Sequence, residues 1–328
     1  MVFVLVSLLD PLEIKGLTLK NRIVMPPMHT GLATTGGAVT DELIEHYTRR
    51  SKALGLLIIE HSYVSLDGRL SERQLGTYDD RLLLGLEKLS SSVHAIGTPV
   101  VIQINHAGAS SSMEITGTRP VAPSPSGDAL ELRVDEIEAL TKAFAVAAER
   151  AMRAGFDGVE VHGAHGFLLN QFFSPLTNRR RDKYGGSLEN RMRFPLEVFE
   201  RVKERVGGRL LLYRLGSDDL NPEGIKIEDS VKFSVKLEEA GVDIIDVSGG
   251  LCGSRPAQLQ GRRGFFVPQA QKIKEAVSVP VIGVGGITDP KYADTLIEEG
   301  RVGLVAVGRA LLKDPDWGIK AIKTLKAR

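Results

Sequence analysis

Eight short β-rich runs alternate with longer amphipathic stretches along this chain, and no other feature limits its fold as strongly. The runs are RIVMPPM (Arg22 to Met28), GLLIIEH (Gly55 to His61), VVIQINHAG (Val100 to Gly108), GVEVHG (Gly158 to Gly163), RLLLYRLG (Arg209 to Gly216), DIIDVSGG (Asp243 to Gly250), VPVIGVGG (Val279 to Gly286) and GLVAVGRA (Gly303 to Ala310). Between them, Asp41 to Ala53, Asp135 to Ala154, Asn190 to Val206, Glu228 to Ala240 and Pro290 to Glu299 carry apolar residues at helical period. Thr40 is placed to cap the first of these. AGFDG, AGVDI and EGRVG each put a glycine at a helix end that leads into a strand. Strands and helices in that alternation describe a parallel (β/α)8 barrel, the TIM-barrel fold. Near-continuous apolar cores such as LLII and LLLY agree, because parallel strands are covered on both faces. A doubly wound open sheet would need a Gly-x-Gly-x-x-Gly turn after its first strand, and none is there.

The segment LEIKGLTLKNR before the first strand reads as a short N-terminal β-hairpin turning at Gly16, suited to plug the N-terminal mouth of the barrel. The opening MVFVLVSLLDP is apolar but has no basic start, is too short to span a membrane, and reads as an edge strand or a tail. At 328 residues the chain is long enough for one large domain, expected over residues 1–328. Lys plus Arg (42) balance Asp plus Glu (41), and no basic run is long enough for counterion-driven binding to nucleic acid. The triplet Arg179 to Arg181 reads as a solvated loop. The single cysteine, Cys252, rules out an intrachain disulfide, a cysteine-ligated iron-sulfur cluster and a C-x-x-C site, and suits a reducing cytoplasm.

In a barrel of this kind the active site lies at the C-terminal ends of the strands. Those ends carry Met28 and His29, Glu60 and His61, Gln103, Asn105 and His106, His162 and His165, Arg214, Ser248, and Gly308 with Arg309, so five of the seven histidines gather there. Side chains alternate along a strand, so Glu160 and His162 are expected to face the axis while Val159 and Val161 face the helices, and Gln103 and Asn105 share a face. His162 and His165 converge only if the chain leaves the sheet at Gly163. GVGGIT and VGRAL place open backbone amides where barrels commonly bind a phosphate, and Arg309 adds a fork of donors. A Schiff-base aldolase would need a lysine at a strand end, and none appears until Lys313. The grouping of His162, His165 and Glu160 fits no common metal set, so no metal is expected.

The stretch HGAHGFLLNQFFSPLTNRRRDKYGGSLENRMRF resembles the Old Yellow Enzyme family of flavin-dependent ene-reductases. The likeness extends from about Leu8 to Trp317 through LKNRIVMPPM, IQINHAG, APSP, AGFDGVEVHGAHG and VGRALL. The chain length is similar to the short, thermophilic-like branch. The resemblance implies noncovalent FMN, with Gln103 and Arg214 at its pyrimidine edge and Pro26, Pro27 and Met28 along the ring. It places His29 and His61 near the reactive edge, and Gly285, Gly286, Gly308 and Arg309 at the phosphate. It also implies NADPH or NADH as hydride donor, and an activated alkene whose carbonyl or nitro oxygen is held by His162 and His165, the expected catalytic pair. A cytoplasmic homodimer or homotetramer is the implied assembly.

Departures from the family pattern fall in the expected substrate pocket of His162, His165, Phe167, Gly31 and His29. Phe167 stands where active relatives carry a proton-donating tyrosine, and a phenyl ring donates nothing. Solvent, His29, His61 and Tyr63 are the candidate replacements. His29 takes the place of a flavin-tuning cysteine, Gly31 that of a substrate-binding tyrosine, His61 that of a small residue, and Ala109 that of an arginine after HAG.

Overall fold

The computed structural model describes residues 6–327, so Met1 to Leu5, most of the apolar opening, lie outside the described residues. The part of that opening that is described forms turns and no strand. Eight parallel strands follow: β1 (Ile23–Met25), β2 (Leu56–Tyr63), β3 (Val100–Asn105), β4 (Gly158–Gly163), β5 (Leu210–Gly216), β6 (Ile244–Ser248), β7 (Val281–Gly283) and β8 (Leu304–Ala306). They pair in chain order and close into a barrel through β8 against β1. Around them lie α1 (Asp41–Ser51), α2 (Leu83–His94), α3 (Val134–Arg153), α4 (Leu188–Val206), α5 (Ile227–Ala240), α6 (Val267–Lys274), α7 (Pro290–Glu298) and α8 (Trp317–Lys326).

Local chemistry sets the element ends. Thr40 Oγ1 accepts the Leu43 N–H at 3.1 Å and caps α1. Gly155, Gly241 and Gly300 take positive φ of 80°, 92° and 67° where α3, α5 and α7 hand over to strands. Several strands are shorter than their apolar runs: β1 stops at Met25 because Pro26 and Pro27 have no N–H for the ladder, and β7 stops at Gly283 before two glycines at positive φ.

Two apolar layers result. Val159, Val161, Leu211, Tyr213 and Val247 point outward into the helix-facing core. Val24, Leu56, Ile58, Val101, Leu210, Leu212, Ile244, Ile282 and Leu304 fill the barrel's lower interior. The hairpin Leu12–Ile14 with Leu17–Leu19 closes that end, turning on Lys15 and Gly16 at φ of 50° and 77°, a two-residue turn with both centres left-handed. Leu12, Ile14 and Leu17 pack under the interior layer. The arginine triplet is solvated only in part, with Arg179 and Arg181 exposed. Arg180 is buried, donating to the carbonyls of Pro123 and Leu132 and paired with Asp182 at 2.6 Å.

Candidate active site

A cavity of about 810 Å³ opens over the C-terminal ends of the strands. Pro26, Pro27, Met28 and His29 reach it from β1, His61 from β2, Gln103 from β3, His162, His165 and Phe167 from β4, and Arg214 from β5. Ser248 reaches it from β6, and Gly285, Gly286, Gly308 and Arg309 from the turns after β7 and β8. Gly31 does not line it. Asn105 and His106 are also turned away: His106 Nδ1 accepts the Gly108 N–H at 3.0 Å and its other nitrogen lies 3.6 Å from Asp67, so this pair holds a loop.

The paired histidines converge as their spacing requires. The strand ends at Gly163, where any side chain would collide with the Tyr213 hydroxyl. His165 then adopts φ of +59°, followed by Gly166 at +73°. For a residue with a side chain that left-handed conformation costs roughly 1–3 kcal/mol, and its N–H is held by Gly249 O at 3.1 Å. The result is an edge-on pair of imidazoles, 5.1 Å between centres and 86° between planes.

Hydrogen bonds assign the protons. Ala164 N–H donates to His162 Nδ1 at 3.2 Å, so the His162 proton sits on Nε2. His165 Nε2 bonds Ser248 Oγ at 2.7 Å. Burial, then the neighbouring His165 imidazole, the Arg214 guanidinium and the His61 imidazole, all of which disfavour a further positive charge, hold His162 well below its usual range. Burial and the charges of Arg214 and His61 do the same for His165. Both rings are therefore neutral at neutral pH, and His162 donates through Nε2–H without carrying charge.

Beneath them lies a buried polar layer. Strand register sets His162 level with Arg214 and Arg214 level with Asp246. Arg214 Nε is 3.3 Å from Asp246 Oδ2, and Gln103 Nε2 donates to Glu160 Oε1 at 2.7 Å. Burial and the charge of Asp246 push Glu160 well above the usual carboxylate range, so Glu160 keeps its proton and Asp246 pairs with Arg214. Asp246 was not singled out from the sequence, although it lies two residues before Ser248 and shares its inward face. Glu60 works sideways: its carboxylate takes Thr30 N–H at 2.7 Å, Thr30 Oγ1 at 2.6 Å and His29 Nδ1 at 2.9 Å, tying the loop after β1 to β2.

The opposite end suits a phosphate. Gly285 has φ of +121°, and a Cβ there would meet Phe265 N at 2.8 Å. At Gly308 a Cβ would meet Met28 Sδ at 3.1 Å, so both turns leave only backbone facing the cavity. Among the described residues no ion pair forms to Arg309, Arg255, Arg262 or Lys313, which line the same cavity. No Asp or Glu lines it among the described residues. Sequence reasoning missed Arg255 and Arg262, whose loop carries no strand or helix signal.

A guanidinium and a carboxamide at one end, unpaired cations over bare backbone at the other, and neutral donors between meet the needs of a flat, phosphate-bearing ring that gains negative charge on reduction. Fold and site thus define a flavin-dependent barrel oxidoreductase, and the residues present fit FMN. Residues 7–328 match the model of the NADH:flavin oxidoreductase / NADH oxidase family, and the chain belongs to that family, which includes the Old Yellow Enzymes. It is 44% identical to an NADH oxidase of Thermoanaerobacter brockii, across 94% of this chain and 50% of that one, so it spans half of that relative's length. It is 40% identical to an NADPH dehydrogenase of Geobacillus sp. (strain WCH70), across 97% and 94%. An Old Yellow Enzyme homologue of Zymomonas mobilis superposes with a TM-score of 0.85 at 26% identity, across 97% and 93%. FMN is accordingly the cofactor and NADH or NADPH the hydride donor.

Proposed function

We propose that the protein reduces activated C=C bonds of α,β-unsaturated carbonyl or nitro compounds with electrons from NADPH or NADH, each reactant using the same cavity in turn. The observation that supports this best is the edge-on pair of neutral imidazoles at its centre. FMN, when bound, relays two electrons between nicotinamide and acceptor. His162 Nε2–H and His165 bind the acceptor's oxygen and steady the negative charge that forms there, which activates the β-carbon. Arg214 and Gln103 hold the pyrimidine edge, with Arg214 favouring its charge on reduction. Pro26, Pro27 and Met28 support the ring, and the amides around Gly285, Gly286 and Gly308, with Arg309, hold the phosphate. Exclusion of water by Phe167 and the prolines strengthens each of these contacts. Unpaired Arg255 and Arg262 at the mouth favour a phosphorylated hydride donor. Cytoplasmic location and a homodimer or homotetramer complete the reading, carried by the family likeness.

The test is an anaerobic absorbance trace of the FMN-loaded protein. NADPH should bleach the visible band and cyclohexenone should restore it; a band that bleaches and stays bleached would instead assign the protein to flavin reduction with another acceptor. Phe167 favours keeping that second reading in view, and Phe167→Tyr should speed the cyclohexenone step if the missing proton donor limits it.

A further inference from the structure

Two acids lie beneath the cavity and reach neither it nor water. Glu160 on β4 and Asp246 on β6 are fully buried, and neither lines the space above them. Arg214 stands on β5 between their strands. It is level with Asp246, while Leu212, two residues earlier on the same inward face, is level with Glu160. Gln103, which lines the cavity, is tied to this layer by its bond to Glu160. Below comes the aliphatic layer that includes Leu210, Leu212 and Ile244.

The partners of the two acids differ in charge. Asp246 Oδ2 lies 3.3 Å from Arg214 Nε, an ion pair by distance, although neither carboxylate oxygen has a hydrogen-bond partner among the described residues. Glu160 Oε1 accepts from the neutral amide of Gln103 at 2.7 Å, while Oε2 is buried with no partner among them. An ionised Glu160 would leave a buried anionic oxygen without a donor. With a proton on Oε2 it is a neutral acid that still accepts at Oε1. Burial, then the charge of Asp246, raise Glu160, against the smaller pull of Arg214 and Gln103. Burial raises Asp246 as well, with Arg214 opposing it. The guanidinium beside Asp246 makes it the acid that ionises.

Resting on the reading that Arg214 meets the pyrimidine edge of FMN, we infer that Asp246 and Glu160 are positioning residues that set the flavin's reduction potential: Asp246, ionised, offsets the charge of Arg214, and Glu160, holding a proton, adds none. Hydride from NAD(P)H brings two electrons and one proton to the ring and leaves it with one negative charge, which the guanidinium stabilises. An ionised Asp246 against that guanidinium subtracts from the stabilisation, and an ionised Glu160 would subtract further. One cation against one anion leaves the layer neutral before reduction. The two acids thus act on the cofactor without touching it, Asp246 through Arg214 and Glu160 through Gln103.

The experiment measures the two-electron midpoint potential of the FMN-loaded protein by reductive titration against a dye, which needs neither nicotinamide nor acceptor. Asp246→Asn removes the offsetting charge at constant size. The reduced cofactor should then bind about tenfold more tightly relative to the oxidised one, a rise of about 30 mV for a two-electron couple. Glu160→Gln replaces one neutral group by another and should move the same ratio by less than about threefold, about 15 mV. An unmoved potential in Asp246→Asn overturns the proposal, as does an equal rise in both variants, which would put charge on both acids. Infrared difference spectra read the proton directly: at neutral pH a protonated-carboxyl band that shifts in D2O should be present in wild type, absent from Glu160→Gln and retained in Asp246→Asn. A wild type without such a band also overturns the proposal, a result that does not depend on any variant folding. Reduced flavin that cyclohexenone fails to reoxidise defeats the proposed function alone, since the potentials are read without an acceptor. A protein that holds no FMN overturns both.

Discussion

The two mouths of the barrel are built from the same eight strands and obey opposite rules. At the N-terminal end the inward side chains form an aliphatic layer, and the hairpin Leu12 to Leu19 seals it. At the C-terminal end, one or two inward positions along the same strands, the axis carries Glu60, Gln103, Glu160, Arg214 and Asp246, all buried. An apolar layer is satisfied by contact alone, so its contribution scales with area and tolerates swaps of similar volume. A buried polar layer is stable only as a complete set, because each group depends on a named partner. The lower end therefore stabilises the fold, and the upper end holds charge in place for chemistry.

The sharpest way to break this contrast is Arg214→Leu, which leaves Asp246 without its counter-ion beside Glu160. Removing one partner of a buried pair typically costs about 3–5 kcal/mol, and here it should also empty the flavin site, measured by urea unfolding and the flavin-to-protein absorbance ratio. Leu19→Ala, at the fully buried lower end, should cost about 2–5 kcal/mol of stability, with FMN affinity changed less than twofold by fluorescence titration. Equal loss of flavin in both variants would erase the distinction. His162→Ala should weaken phenol binding about 10- to 100-fold, the range of one charge-assisted hydrogen bond, while leaving the urea midpoint nearly unmoved.

The smallest expected effect is that of pH. Burial lowers His46 to about 4 and His61 to about 3, with His162 and His165 also depressed. Between pH 6.5 and about 4 these four histidines bind more protons in the unfolded chain than in the folded one. Stability from these groups is complete above pH 6.5 and lost as pH falls through that window. Urea midpoints taken across it should fall steadily, less steeply in His46→Asn, which removes a titration outside the catalytic cavity.

Period and punctuation made the barrel legible, since alternating helical and extended patterns with glycine stops leave few topologies. The hairpin at Gly16, the Thr40 cap and the inward parity of Glu160 and His162 all match the structure. Arg180 was misread because a polar triplet looks solvated until a neighbouring loop offers carbonyls that need donors. Asp246 went unremarked for the opposite reason: alone in an apolar strand it shows no partner in the sequence, and its partner lies on the adjacent strand.

The sequence by itself determined the strands, the helices and the glycine turns, because these depend on local period and backbone freedom. Tertiary structure alone decided where each proton and side chain points. The tie from Glu60 to the loop after β1 and the level pairing of His162, Arg214 and Asp246 arise between elements apart in the chain. Hydrogen bonds are directional, and no pattern along one strand states what stands across from it.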